Sequence, residues 1–143
     1  MYKVLVFSFF SIICFSACEE QPIDEVIPYS FVNHDINLDL IQYQSLRNLG
    51  GYIYLDENGS SGYKGIIVYH EGNGIYRAFE RACTFDPHGA CDPIAVDESG
   101  LFLIHSCCKS TFDFNGNPTG GPASLQLLQY LTVMDGLYLK IRN

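Results

Sequence analysis

The side chains of this chain able to do chemistry gather between Cys83 and Cys108. Cys83, Cys91, Cys107 and Cys108 supply thiols, and His88 and His105 supply imidazoles. Thiols pair as disulfides or, as thiolates, ligate soft metals beside imidazole. Four cysteines allow three pairings. A Cys107–Cys108 bridge is disfavoured, because neighbours in an extended chain point apart. Other chemistry is thin. No Gly-x-Ser-x-Gly elbow, His-Glu-x-x-His pair or phosphate-cradling glycine loop occurs, so nothing marks a hydrolase. Asp35, Asp39, Asp86, Asp92 and Asp97 are scattered and read as solvated strand faces and turns. Lys64, Arg77 and Arg81 are the cations that could pair with them.

Compartment decides between disulfide and metal, and the N-terminus speaks to compartment. Lys3 is the only charge ahead of Cys18, an apolar run spans Val4 to Phe15, and Phe15-Ser16-Ala17-Cys18 follows. A basic start, a short apolar core and small residues make a secretory signal. The run falls short of the roughly 20 residues a membrane span needs. Charged Glu19-Glu20 follow at once, against a buried core helix. Ending on cysteine, the segment resembles the lipobox of bacterial lipoproteins, with Phe15 where leucine is usual. That resemblance implies loss of residues 1–17, lipidation of Cys18 and anchoring at the outer membrane, on its periplasmic or surface face. Residues 18–32 read as an acidic, proline-bearing tether, extended and solvated. In Bacteroidetes-like lipoproteins, which this N-terminus resembles, such an acidic stretch can mark export to the cell surface; a plain spacer has the same composition. In an exported chain, an even and clustered set of cysteines reads first as disulfides and second as a metal site.

Charge sets limits on partners. The chain carries 16 acidic and 8 basic residues, a formal net charge of −8. Such a surface does not bind nucleic acid through phosphates. It gains nothing at anionic lipid either, so membrane attachment falls to acyl chains.

The elements that must position the cysteines are strands. Ile36, Leu38 and Leu40 alternate with Asp35, Asn37 and Asp39, a period-2 pattern with one buried face. Tyr52 to Leu55, Gly65 to His70, Ile75 to Glu80, Leu101 to His105, Leu125 to Val133 and Leu137 to Arg142 continue the series. Asn58-Gly59, Gly72-Asn73-Gly74, Ser99-Gly100, Asn115-Gly116 and Asp135-Gly136 supply turns between them. No segment after the signal carries a helical period with caps. Strands this short and frequent predict one all-β domain over residues 33–143, an antiparallel sandwich or barrel.

Two cysteine loops flank one strand of that domain. The first reads Cys83-Thr84-Phe85-Asp86-Pro87-His88-Gly89-Ala90-Cys91. The second reads His105-Ser106-Cys107-Cys108-Lys109-Ser110-Thr111-Phe112-Asp113, followed by Gly121-Pro122-Ala123 and Leu127 to Tyr130. Over about Tyr63 to Ile141 this run resembles the Rieske iron–sulfur domain. That family reads Cys-Thr-His with a later Cys, then Cys-Pro-Cys-His-Gly-Ser, Phe-Asp, a glycine turn and Gly-Pro-Ala. The resemblance implies a small antiparallel sandwich or barrel with a cysteine-bearing two-loop subdomain. It also implies a Cys91–Cys107 disulfide. Its cofactor is a 2Fe-2S cluster held by two thiolates and two imidazoles.

Carried over position by position, the ligand set is altered. Cys83 keeps the first thiolate. Phe85 stands for the first imidazole, His105 for the second thiolate, and Cys108 for the second imidazole. Lys109 stands where the family has glycine. The frame is expected to persist while the cluster is lost, because sheet packing and a disulfide hold it independently. The leading expectation is therefore no cofactor. Cys83 and Cys108 then close a second disulfide, with Phe85 filling the vacated volume. A mononuclear zinc site from Cys83, His105 and Cys108, with His88 nearby, is the altered-metal alternative. A 2Fe-2S electron carrier is the other. Function follows the first expectation: a disulfide-stapled module that binds or scaffolds an envelope protein partner, not an enzyme.

Overall fold

The computed structural model describes residues 26–143. The signal segment 1–17, Cys18 and residues 18–25 of the tether lie outside the described residues. No helix among those described is long and apolar enough to cross a membrane.

The chain is all-β. Its strands are β1 (Asn33–Asn37), β2 (Tyr52–Leu55), β3 (Ile66–Gly72), β4 (Ile75–Glu80), β5 (Ala95–Val96), β6 (Leu103–Ile104), β7 (Thr111–Phe112), β8 (Pro118–Gly120), β9 (Gln129–Asp135) and β10 (Tyr138–Arg142). An antiparallel sheet of six runs β1-β10-β9-β4-β3-β2. A smaller one, β5-β6-β7-β8, is spliced into the chain between β4 and β9 and carries both cysteine loops.

The paired segments Ile66–Val68 of β3 and Ala78–Glu80 of β4 are buried on both faces. Ile66, Val68 and Ala78 point into one core with Ile36, Leu46, Tyr130, Leu139 and Ile141. Ile67 and Phe79 point into a second core with Ile94, Leu103, Phe112 and Leu127. A strand buried on both faces reads as an unbroken apolar run, which is what Ile66-Ile67-Val68 is. Each such side chain stabilises by about 1.5–3 kcal/mol. Cys83 belongs to the second core, so the cysteine loops are anchored by the same packing that joins the two sheets.

Several expected edges move. Strand β1 stops at Asn37, whose Oδ1 accepts the Asp39 amide at 2.9 Å and turns the chain, leaving Leu40 at the surface. A 3-10 helix, Ile41–Arg47, follows. It is too short to show a period, and Leu46 is its one buried residue. In β10, Leu139 and Ile141 are buried as the alternation requires, whereas Leu137 sits exposed at the hairpin turn. The packed body also starts before Asn33, inside the stretch read as tether. Ile27 and Val32 are buried. Ser30 Oγ donates to Gly62 O at 2.7 Å, and Val32 N donates to Asn143 Oδ1 at 3.1 Å.

The ion pairs also differ from expectation. Arg77 pairs with Glu71 and Arg81 with Asp56, while Lys64 Nζ donates to Gly89 O. Asp35 pairs with Arg142 and Asp39 with Arg47.

Candidate functional site

The first cysteine loop leaves β4 through a buried carboxylate. Glu80 is fully buried. Its Oε1 accepts the amides of Lys64 at 2.7 Å and Ala82 at 3.1 Å. Its Oε2 accepts the Tyr63 amide at 2.7 Å and the Tyr130 hydroxyl at 2.6 Å. An uncompensated buried carboxylate would be costly; four donors compensate this one. The Ala82 bond fixes the residue before Cys83. Beyond Cys83, Thr84 Oγ1 donates to Leu125 O at 3.0 Å. Sequence reading missed Glu80. The available signal was its alternation with buried Tyr76 and Ala78, which puts it on the core face of β4.

The second loop folds back on itself after β6. His105 N donates to Ser110 O at 2.9 Å, and Lys109 N donates to His105 O at 3.0 Å. Lys109 closes this turn at φ +59°, the left-handed region that favours glycine. Ser110 is fully buried, and its Oγ accepts the Ala123 amide at 3.1 Å. A Cys91–Cys107 disulfide spans a sequence separation of 16 and clamps the two loops together.

These constraints aim three side chains at one point. Cys83 Sγ lies 3.4 Å from Cys108 Sγ, and His105 Nδ1 lies 3.1 Å from Cys108 Sγ. All three donor atoms fall within 4.8 Å of one another. Cys83 and His105 are buried, while Cys108 is partly open. Burial pushes the Cys83 thiol up, against opposing hydrogen bonds from the Phe85 and Asp86 amides. Burial acts upward on Cys108 too, but hydrogen bonds from the Ser110 hydroxyl and amide bring it below the usual thiol value. Burial lowers His105, with Asp86 opposing.

Three of the four expected metal-type residues meet, and His88 does not join them. His88 is exposed, with its Nδ1 3.2 Å from Tyr63 Oη. Phe85 does not fill the space between the loops either; the residue is 56% exposed. Cys83, His105 and Cys108 themselves occupy that volume. The expected Cys83–Cys108 bridge is not formed, since both are free thiols at 3.4 Å rather than at the roughly 2.05 Å of a bond. Two thiols and an imidazole so placed can ligate one soft ion; alternatively the two thiols alone can give two electrons to an external oxidant, release two protons and close a disulfide. No protein-family model matches this chain, and no curated protein matches it either.

Proposed function

We propose that this chain is a lipid-anchored protein of the cell envelope, held at the outer membrane through Cys18. Its β domain is a Rieske-type frame turned from electron carriage to binding an envelope partner. Three features support the frame. The two cysteine loops are joined by Cys91–Cys107. They rise from a small sheet set between β4 and β9. Lys109 takes glycine-type backbone where the family has glycine. The leader pattern around Lys3, Val4 to Phe15 and Cys18 supports the anchor.

One observation carries the loss of electron transfer. A Rieske cluster needs two thiolates on one iron and two imidazoles on the other. Here two thiols and a single imidazole converge, and Phe85, at the remaining ligand position, is turned to solvent. The residues present do not fit that cluster.

The test uses the full chain, purified without oxygen from membranes. The expected protein is colourless, without stoichiometric iron; a stoichiometric 2Fe-2S electron-spin signal would restore the electron carrier. Labelled fatty acid should enter the wild type and not Cys18→Ser. Equal labelling of both sinks the anchor.

A further inference from the structure

We propose that Cys83, His105 and Cys108 form a mononuclear site for a zinc-class ion, with its fourth position open. The proposal rests on the reading above that no iron–sulfur cluster is held between the loops, and it names the module's first ligand.

The donor set selects the metal. Two thiolates and an imidazole are soft or borderline ligands, suited to Zn2+ and unsuited to Mg2+ or Ca2+. Each thiol gives up its proton as its sulfur bonds the ion, so two negative charges meet two positive ones. Spacing agrees. Zinc bonds of about 2.3 Å to sulfur and about 2.0–2.1 Å to nitrogen, in tetrahedral geometry, separate neighbouring donors by roughly 3.6–3.8 Å. The observed separations from Cys108 Sγ are 3.4 Å to Cys83 Sγ and 3.1 Å to His105 Nδ1. Opening each by a few tenths of an ångström, with Cys83 Sγ and His105 Nδ1, which lie within 4.8 Å of each other, drawn to the same spacing, seats the ion.

The surroundings are those of held ligands. Ser110 Oγ lies 3.0 Å from Cys108 Sγ. The thiol donates to that oxygen, which also accepts the Ala123 amide; once the thiol has lost its proton to solvent on binding an ion, the Ser110 hydroxyl can donate to the thiolate in return. Partners of this kind fix ligand orientation at metal sites.

The imidazole argues against a bare disulfide. His105 is 4% exposed, and its Nδ1 is bonded to the Cys108 sulfur. A Cys83–Cys108 bridge would take away that ionisable partner and leave a buried ring nitrogen poorly satisfied. An ion at the centre satisfies all three donors. Three protein ligands leave the fourth position to solvent, which reaches the site past the partly open Cys108.

Cobalt(II) is the probe, titrated into the full chain after reduction and chelation without oxygen. The expected result is a sulfur-to-cobalt charge-transfer band saturating at one equivalent and abolished by Zn2+. Zn2+ should also protect two thiols of the wild type from a thiol reagent, a readout that needs no variant. Cys83→Ser or Cys108→Ser should remove the band, and His105→Ala should weaken binding by more than about 100-fold. Ser110→Ala, which loses an outer partner, should weaken it by about 10–100-fold. His88→Ala should bind as the wild type does. A colourless, reduced protein that gives no band, or a band that survives Cys83→Ser, overturns the site alone. A 2Fe-2S spectrum before any cobalt is added overturns the proposed function as well.

Discussion

Tyr130 donates its hydroxyl to Glu80 Oε2 at 2.6 Å, deep between β9 and β4. Both residues are buried, at 4% and 0% exposure. Burial, and then the Glu80 carboxylate, raise the Tyr130 phenol far above its ordinary value. Tyr130→Phe removes one hydrogen bond to a charged group and should cost about 1.5–3 kcal/mol in urea unfolding. Glu80→Ala leaves the buried Ala82 amide, the part-buried amides of Tyr63 and Lys64 and the phenol without this acceptor, so more than about 3 kcal/mol is expected. The pH dependence has a definite sign. A native phenol held protonated contributes stability below the unfolded value of about 10, and that stability is lost as pH rises above it. The difference between wild type and Tyr130→Phe should therefore shrink on the alkaline side. A constant difference between pH 8 and 11 would remove the Glu80 link.

Gly62 sits against the same pair. A Cβ there would lie 2.3 Å from Glu80 Oε2 and 2.8 Å from Tyr130 Oη, and its φ of +77° already disfavours any side chain. Gly62→Ala should then cost more than the roughly 1–2 kcal/mol of left-handed backbone alone. In the Tyr130→Phe background the cost of Gly62→Ala should fall, because one of the two clashing oxygens is gone. Strict additivity in the double mutant would show that backbone strain is the whole effect.

How far the sequence carried this fold depended on what held each element. Strands β3 and β4 and the β9–β10 hairpin were legible because burial imposes a pattern and a glycine turn ends it. The strands β5, β7 and β8 are two or three residues long and owe their form to ladder bonds across the small sheet. Propensity over so few residues carries no signal. In the site, the loop positions of Cys83, His105 and Cys108 were readable, but the directions of Phe85 and His88 were not. Side chains in non-repeating backbone follow local φ and ψ, with no period to read. Glu80 drew no notice in the sequence because an acid at a strand end ordinarily leaves for solvent. Its four donors come from the turn before β3, the start of the first cysteine loop and β9, which only the folded chain brings together.

The Cys91–Cys107 bridge closes a loop with a sequence separation of 16. Restricting an unfolded loop of that length stabilises by about 3 kcal/mol. Replacing both cysteines with alanine should lower stability by about that much, and reductant should destabilise the wild type by a similar amount. The double variant keeps Cys83 and Cys108. If those remain thiols, reductant leaves its urea midpoint unchanged. A reductant-sensitive midpoint in the double variant would reveal a Cys83–Cys108 bridge in solution.

Lys109 offers the sharpest test of how the second loop is held. Its backbone sits at φ +59°, its amide donates to His105 O, and its side chain is exposed. Left-handed backbone costs a non-glycine residue about 1–2 kcal/mol. Glycine removes that cost and keeps the amide, but restores about 0.5–1 kcal/mol of unfolded-chain entropy. Lys109→Gly should therefore be neutral to stabilising by about 1 kcal/mol. Lys109→Val should be clearly destabilising, because a branched Cβ tolerates this region least. Urea midpoints of the two variants decide the matter. If glycine destabilises as much as valine, the lysine side chain, rather than the turn geometry, holds His105 and Cys108 in register.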